Sequence, residues 1–304
     1  MKKDLERFEM AMGYLPTRLR SAAMQLPAEE RRTAEELRLR AGQPLTVLLP
    51  DGERTLEPLV TPQDLEVLCD LATDFSRYAA VETIREGYLP VRGGFRIGLC
   101  GSAVMKDGVC TNLRELSSAS IRIAREQLGI AGDLAPQLLR EGSFQSTLLL
   151  SPPGGGKTTL LRDLIRCLSD GLPDAPPQRI ALIDERGELA VCYRGMPQLR
   201  VGSHTDVLDA CPKRLGIPMV LRAMNPQIIA VDEITAHADL EAMCMAAGCG
   251  VGLLATIHAA GTEELRQKPL YRELLDTAVF RYAVTIQKTR QGRGYTLEEL
   301  SCGT

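Results

Sequence analysis

A chain of 304 residues exceeds the usual single-domain size, and its 44% hydrophobic and 25% charged content is that of an ordinary globular protein, which excludes wholesale disorder. A formal net charge of -3 gives no basic excess for surface-wide binding of nucleic acid or anionic lipid, and the absence of Trp with 5 Phe leaves few stacking platforms for single strands. The 9 cysteines include no Cys-x-x-Cys pair, so neither a disulfide framework nor a zinc site is expected, and most, Cys244 and Cys249 included, read as buried thiols in apolar sequence.

The first residues alternate charged and apolar side chains and lack the apolar core of a signal peptide, so no export is expected. Residues 4–26 carry apolar positions at helical spacing, and 36–51 then alternate as strands do. Helices are expected over 61–72 and around 74–85. Strands follow at 88–91, 95–104 and 120–124, separated by Gly93-Gly94 and by Lys106-Asp107-Gly108. This is a small α+β unit. Helix and loop occupy 129–145, and the domain boundary is expected near 143, giving domains 1–143 and 144–304.

Beyond it, short apolar strands at 147–150, 179–184, 227–232 and 252–257 alternate with helical segments at 157–170, 212–224 and 237–247. Such alternation implies a mostly parallel sheet covered by helices, an α/β fold. The uncharged run 243–260 is broken by glycines, so a membrane span is not expected.

The chemistry-bearing residues fall at the ends of these strands. Ser151, Pro152, Pro153, Gly154, Gly155, Gly156, Lys157, Thr158 and Thr159 follow an apolar strand and open a helix, the context of a phosphate-binding loop, with Ser151 where the pattern has its first glycine. Lys157 is placed to reach the β and γ phosphates of ATP, and Thr158 to hold Mg2+. The strand 227–232 ends in Asp232 and Glu233. Carboxylates at the C-terminal edge of an open sheet suit metal organisation, assigned to Asp232, and positioning or deprotonation of water, assigned to Glu233. Asp184, Glu185 and Glu188 end another strand at the same edge. His258 ends a third, where spacing alone leaves a structural and a catalytic histidine equally open; His204 and His237 read as surface or capping residues.

Taken together, the segments Ser-Pro-Pro-Gly-Gly-Gly-Lys-Thr-Thr-Leu-Leu-Arg-Asp-Leu, Ile-Asp-Glu-Arg-Gly-Glu-Leu, Leu-Arg-Ala-Met-Asn-Pro-Gln-Ile-Ile-Ala-Val-Asp-Glu-Ile and Ala-Thr-Ile-His-Ala resemble the stage III sporulation protein AA family, which is similar to type II and type IV secretion ATPases. The resemblance spans the second domain and extends less specifically into the first through Arg-Gly-Gly-Phe-Arg-Ile-Gly and Ile-Arg-Ile-Ala-Arg-Glu. It implies a RecA-like P-loop NTPase domain behind a smaller α+β N-terminal domain. It also implies catalytic roles for Glu185, in an acidic box with Asp184, and for His258, in a histidine box that here lacks the Asn often found after it.

A hexameric ring is implied as well, with an arginine acting across the subunit interface. Arg122 or Arg125 is favoured for that role over Arg96 and Arg222. The familial role is to power assembly of, or transport by, the channel linking mother cell and forespore, with membrane proteins of that complex as partners and a cytoplasmic location peripheral to the membrane. Two competing readings are a nucleic-acid-dependent ATPase, for which no added nucleic-acid-binding module is expected after the last strand, and a nucleotide-gated scaffold with little turnover.

Overall fold

Alternating apolar residues on strands, and i, i+3, i+4 apolar stripes on helices, build three hydrophobic clusters. The computed structural model of the chain describes residues 2–123, 126–289 and 292–300. They fall into two units, Met1–Arg125 and Glu126–Thr304.

The first unit opens with α1 (Lys2–Met12), α2 (Thr17–Met24) and α3 (Ala28–Thr33). The helical run expected over 4–26 is two helices because Pro16 stands at the start of α2 and cannot continue a helix from α1. Phe8, Ala11 and Met12 of α1 and Leu19 and Ala23 of α2 are buried at that helical spacing. The strands are β1 (Glu36–Arg40), β2 (Pro44–Leu49), β3 (Gly52–Leu59), β4 (Tyr88–Val91), β5 (Phe95–Lys106) and β6 (Val109–Arg122), in spatial order β3-β2-β1-β6-β5-β4, with every pair antiparallel. Leu37, Leu39, Leu45, Val47, Phe95, Ile97 and Ile121 share one core with Leu65 and Leu68 of α4 (Pro62–Ala72). Strand β6 begins eleven residues before the expected 120 because it pairs with β5 along an extended hairpin. The helix expected over 74–85 is a 3-10 turn followed by the five-residue α5 (Val81–Arg85).

The second unit begins with a two-stranded ribbon, β7 (Leu139–Arg140) and β8 (Ser143–Phe144). Its main sheet comprises β9 (Thr147–Ser151), β10 (Ile180–Asp184), β11 (Thr205–Asp209), β12 (Ile228–Val231), β13 (Gly252–His258), β14 (Tyr282–Thr289) and β15 (Gly292–Glu299). The order is β11-β10-β12-β13-β9-β14-β15, parallel throughout except for the β14–β15 hairpin. Burial on both faces explains the near-continuous apolar runs. Leu149, Leu182, Ala230 and Leu254 face one side and pack with α6 (Lys157–Asp170). Leu148, Leu150, Ile183, Val231 and Ala255 face the other and pack with α7 (Lys213–Ala223) and α8 (His237–Gly248). Leu265 of α9 (Thr262–Gln267) and Leu274 of α10 (Pro269–Asp276) complete that layer.

The division between units comes earlier than the expected residue 143. Ala131, Leu134, Ala135 and Leu138 lie in the α6-side core, and the Ala131 amide donates to the buried Asp163 carboxylate of α6 at 2.9 Å. Strands β11, β14 and β15 and helices α9 and α10 had no counterpart in the expected elements. Cys249 is exposed and Cys244 intermediate, contrary to expectation, whereas Cys69 and Cys192 are buried. Burial pushes the thiol of Cys69 up to about 11 and that of Cys192 up to about 12. Among the described residues, no helix is long and apolar enough to cross a membrane.

Candidate active site

Strand β9 is buried from Thr147 to Ser151, and the chain leaves it directly into the loop that caps α6. The serine in the first loop position is accommodated by the glycine four residues on. The Ser151 hydroxyl donates to Pro152 O at 3.0 Å, and a Cβ on Gly155 would stand 1.5 Å from Ser151 Oγ, so only glycine fits there. Gly156, at φ 98°, is the left-handed residue immediately before α6. Pro152, Pro153 and Gly154 are exposed at the loop crest, while Gly155, Gly156, Thr158 and Thr159 are half-buried. The first amides of α6 have no partner within the helix, and such an end is suited to an anion.

Lys157 is buried and turns back onto the loop. Its ammonium donates to Ser151 O at 2.7 Å and Pro152 O at 3.3 Å, and meets His258 Nδ1 at 2.6 Å. Burial lowers its pKa from the ordinary value, against the opposing attraction of Asp232 and Glu233. A lysine ammonium has only donors, so His258 Nδ1 accepts and the ring proton sits on Nε2. That nitrogen stands 3.3 Å from Glu233 Oε1.

Asp232 and Glu233 follow β12, and their backbone is fixed by β13. The Thr256 hydroxyl donates to Asp232 Oδ1 at 2.7 Å and accepts the Glu233 amide at 3.0 Å. Thr158 Oγ1 approaches Asp232 Oδ2 at 3.4 Å. Glu233 Oε2 pairs with Arg186 at 3.1 Å. Lys157, Thr158, Asp232, Glu233 and His258 are thus joined in one network, as their positions at the ends of parallel strands anticipate. Thr256 and Arg186 were not anticipated. Thr256 had a signal, being two residues before His258 and so on the same face of a strand. Arg186 had none beyond its place in the turn after Asp184.

Asp184 is fully buried and organises the turn after β10. Its two carboxylate oxygens accept the amides of Glu188 at 2.9 Å, Leu189 at 3.0 Å and Ala190 at 2.8 Å. Arg162 of α6 clamps the same turn through Leu189 O and Glu188 O, each at 2.6 Å. Glu185, at the same sheet edge, pairs with the buried Lys213 at the start of α7. Arg122 is exposed on β6 of the first unit, in register with Glu36 and Arg96; Arg125 lies outside the described residues. Arg96 stacks over the Tyr88 ring at 3.8 Å, and Arg222 donates to Pro218 O at 3.1 Å. His237 is exposed and paired with Glu273, and exposed His204 bonds Ser169.

The donors present fit a nucleotide with Mg2+. A hydroxyl and a carboxylate, Thr158 and Asp232, are hard oxygen ligands beside a phosphate cradle, and Mg2+ takes few protein ligands because it keeps water and substrate phosphate in its shell. Among the described residues, no group of three or more His, Cys, Asp or Glu forms an all-protein metal cage.

Comparison with known proteins extends this picture. The family described as Sporulation stage III, protein AA matches residues 7–297. The Stage III sporulation protein AA of Bacillus subtilis (strain 168) is 36% identical over 266 residues, covering 88% of this chain and 86% of that protein. Among solved structures, the ATPase DotB of Legionella pneumophila superposes with a TM-score of 0.58 at 14% identity, covering 95% of this chain and 83% of that one. The pilus retraction motor PilT with bound ADP gives 0.58 at 17% identity, with 91% and 82% covered. At these identities the likeness concerns the fold, a RecA-like P-loop domain with a mostly parallel sheet behind a smaller α+β domain.

Proposed function

The chain belongs to the Sporulation stage III, protein AA family, and from that premise we propose that it is a secretion-type ATPase that hydrolyses ATP at the loop Ser151–Thr159. The observation that carries the proposal is the joining of residues from three strand ends at one sheet edge: Lys157 to His258 at 2.6 Å, His258 to Glu233 at 3.3 Å, and Thr158 to Asp232 at 3.4 Å. A nucleotide-binding turn without hydrolysis has no need of a carboxylate and an imidazole held together beside the lysine.

In this reading the amides at the start of α6 and the Lys157 ammonium hold the phosphates. Thr158 and Asp232 hold Mg2+, which supplies charge neutralisation on the phosphate oxygens. Glu233 orients the attacking water and takes its proton, and His258 fixes the carboxylate through Nε2–H. Glu185 joins the acidic side of the site once released from Lys213. The work is done in a hexameric ring at the cytoplasmic face of a membrane channel complex between mother cell and forespore. There Arg122 or Arg125 of a neighbouring subunit stabilises charge on the transferring phosphoryl group.

The test is phosphate release by the purified chain and two variants. Lys157→Ala is expected to lose nucleotide binding and turnover together. Glu233→Gln is expected to keep binding while turnover falls about 100-fold or more. Wild-type turnover in both variants would sink the catalytic assignment. A second reading, a nucleotide-gated scaffold, draws on the pairing of Glu233 with Arg186 and of Glu185 with Lys213, which keeps both carboxylates engaged within one chain. Native mass measurement with and without a non-hydrolysable ATP analogue, alongside turnover, separates the two. Rings with measurable turnover support the motor, and nucleotide-dependent assembly without turnover supports the scaffold.

A further inference from the structure

The sheet order places β9 and its loop between two different neighbours. On one side β13 and β12 end in His258, Asp232 and Glu233; on the other lies the β14–β15 hairpin. Strand β14 runs parallel to β9 with Thr285 opposite Leu150, and Lys288, three residues further on, pairs with Arg293. At about 3.3 Å per residue, the hairpin at Arg293 stands about 10 Å beyond Leu150, past the end of β9 and level with the loop that follows it. The Arg293 guanidinium reaches the loop itself. A Cβ built on Gly156 would lie 2.6 Å from Arg293 Cζ and 2.9 Å from its Nε and Nη1. Arg293 also donates to Gln127 Oε1 at 3.3 Å, which sets the direction of the guanidinium plane.

Resting on the reading of this loop as a nucleotide site, we infer that Arg293, steadied by Gln127, binds the 5′ end of the nucleotide, through its α-phosphate or ribose oxygens. The terminal phosphate belongs with Lys157, Thr158, Asp232 and Glu233, on the β12–β13 side. A nucleotide laid across the loop therefore runs away from them, toward β14 and β15, where Arg293 stands. Arginine suits the position because its planar fork of donors meets two oxygens at once, on a phosphate or on a ribose diol. The contact is made by the chain to its own loop, so it sets how tightly a subunit holds nucleotide, independently of any arginine supplied by a neighbour.

Calorimetric titration of the full chain with Mg-ADP and with inorganic tripolyphosphate tests the inference. Arg293→Ala is expected to weaken ADP binding about 10-fold or more, as loss of a charge-assisted hydrogen bond does. Arg293→Lys, which keeps the charge without the fork, is expected to recover part of it. An equal loss for tripolyphosphate assigns the contact to the α-phosphate; a loss confined to ADP assigns it to the ribose. Unchanged ADP affinity in Arg293→Ala overturns the inference. So does a fall in the melting temperature of the ligand-free variant that accounts for the weaker binding, because Arg293 would then be a prop of the loop. If the wild-type chain binds neither ligand, the nucleotide reading itself fails, which is a different result from wild-type binding that Arg293→Ala leaves intact.

Discussion

Asp184 looks from its position like a member of a catalytic acidic pair, yet its surroundings give it a different task from its neighbour. It is fully buried, and both oxygens are taken by amides of residues 188–190. Glu185 points instead to Lys213 and keeps a side chain that is part exposed. The turn that carries Arg186 to Glu233 is thus built around Asp184, and the carboxylate acts by shaping it. Replacing Asp184 with alanine strands the buried amides of Leu189 and Ala190, each costing roughly 1–3 kcal/mol when buried without a partner, and frees the more exposed amide of Glu188. Asp184→Ala is expected to lower unfolding free energy by about 3 kcal/mol or more in urea titration, and to loosen the turn beside Glu233. Asp184→Asn, which keeps one acceptor oxygen, is expected to lose less. If Asp184→Ala unfolds at the wild-type urea midpoint, these bonds do not hold the turn. Sequence position identified Asp184 and Glu185 as a pair, but only the folded turn separates them, by closing the amides of residues 188–190 onto Asp184 and leaving Glu185 to the distant Lys213.

Helix α4 shows how a local motif becomes a tertiary joint. Thr61 and Asp64 form a capping box: Thr61 Oγ1 accepts the Asp64 amide at 3.2 Å, and Asp64 Oδ2 accepts the Thr61 amide at 2.8 Å. The same Asp64 oxygen takes Arg18 of α2 at 2.6 Å, linking two helices of the first unit through one carboxylate. Thr61→Ala is therefore expected to cost about 1 kcal/mol, the usual worth of a cap. Asp64→Ala is expected to cost more, because it removes the reciprocal bond and the link to α2 together. Chemical denaturation of the two variants checks the order, and equal costs would leave Arg18 without a structural share. Elements with such local signals were legible: α4 begins one residue from its expected start, and α6, β10, β12 and β13 lie close to their expected spans. Strand β11, Thr-Asp-Val-Leu-Asp, has little apolar content and owes its existence to pairing with β10. The segment 126–138 joins the second unit through Asp163 and the core beside α6, contacts that no local periodicity announces. Lys157, Asp232 and Glu233 could be singled out from motif and strand ends, and His258 only with the help of the family resemblance, whereas the approach of Arg293 to the loop became visible only once β15 was placed beside it.

At the scale of the whole chain, the important fact is that the hydrophobic cores are divided between the units. One cluster belongs to Met1–Arg125, and two, on opposite faces of the parallel sheet, belong to Glu126–Thr304. The loop Ser151–Thr159, Asp232, Glu233 and His258 all hang from strands whose interior residues form those two latter clusters, so on the proposed reading nucleotide binding stabilises the second unit. At a free nucleotide concentration 100 times the dissociation constant, a site present only in the folded state adds about 2.7 kcal/mol of stability. That corresponds to slowing by about 100-fold for amides that exchange only when the unit unfolds as a whole. Hydrogen exchange of the full chain with saturating Mg-ADP is expected to show this slowing in β9, β12, β13 and the first turns of α6. The amides of β5 and β6 in the first unit are expected to exchange as they do without ligand. Slowing of equal size in both units would mean that they unfold as one body despite their separate cores. Saturation without slowing in β9, β12 and β13 would place the nucleotide elsewhere. The sheet makes the first outcome the expected one, because β9 is hydrogen-bonded to β13 and β14, and β13 to β12, so a ligand that holds the end of β9 opposes separation of the strands on either side of it.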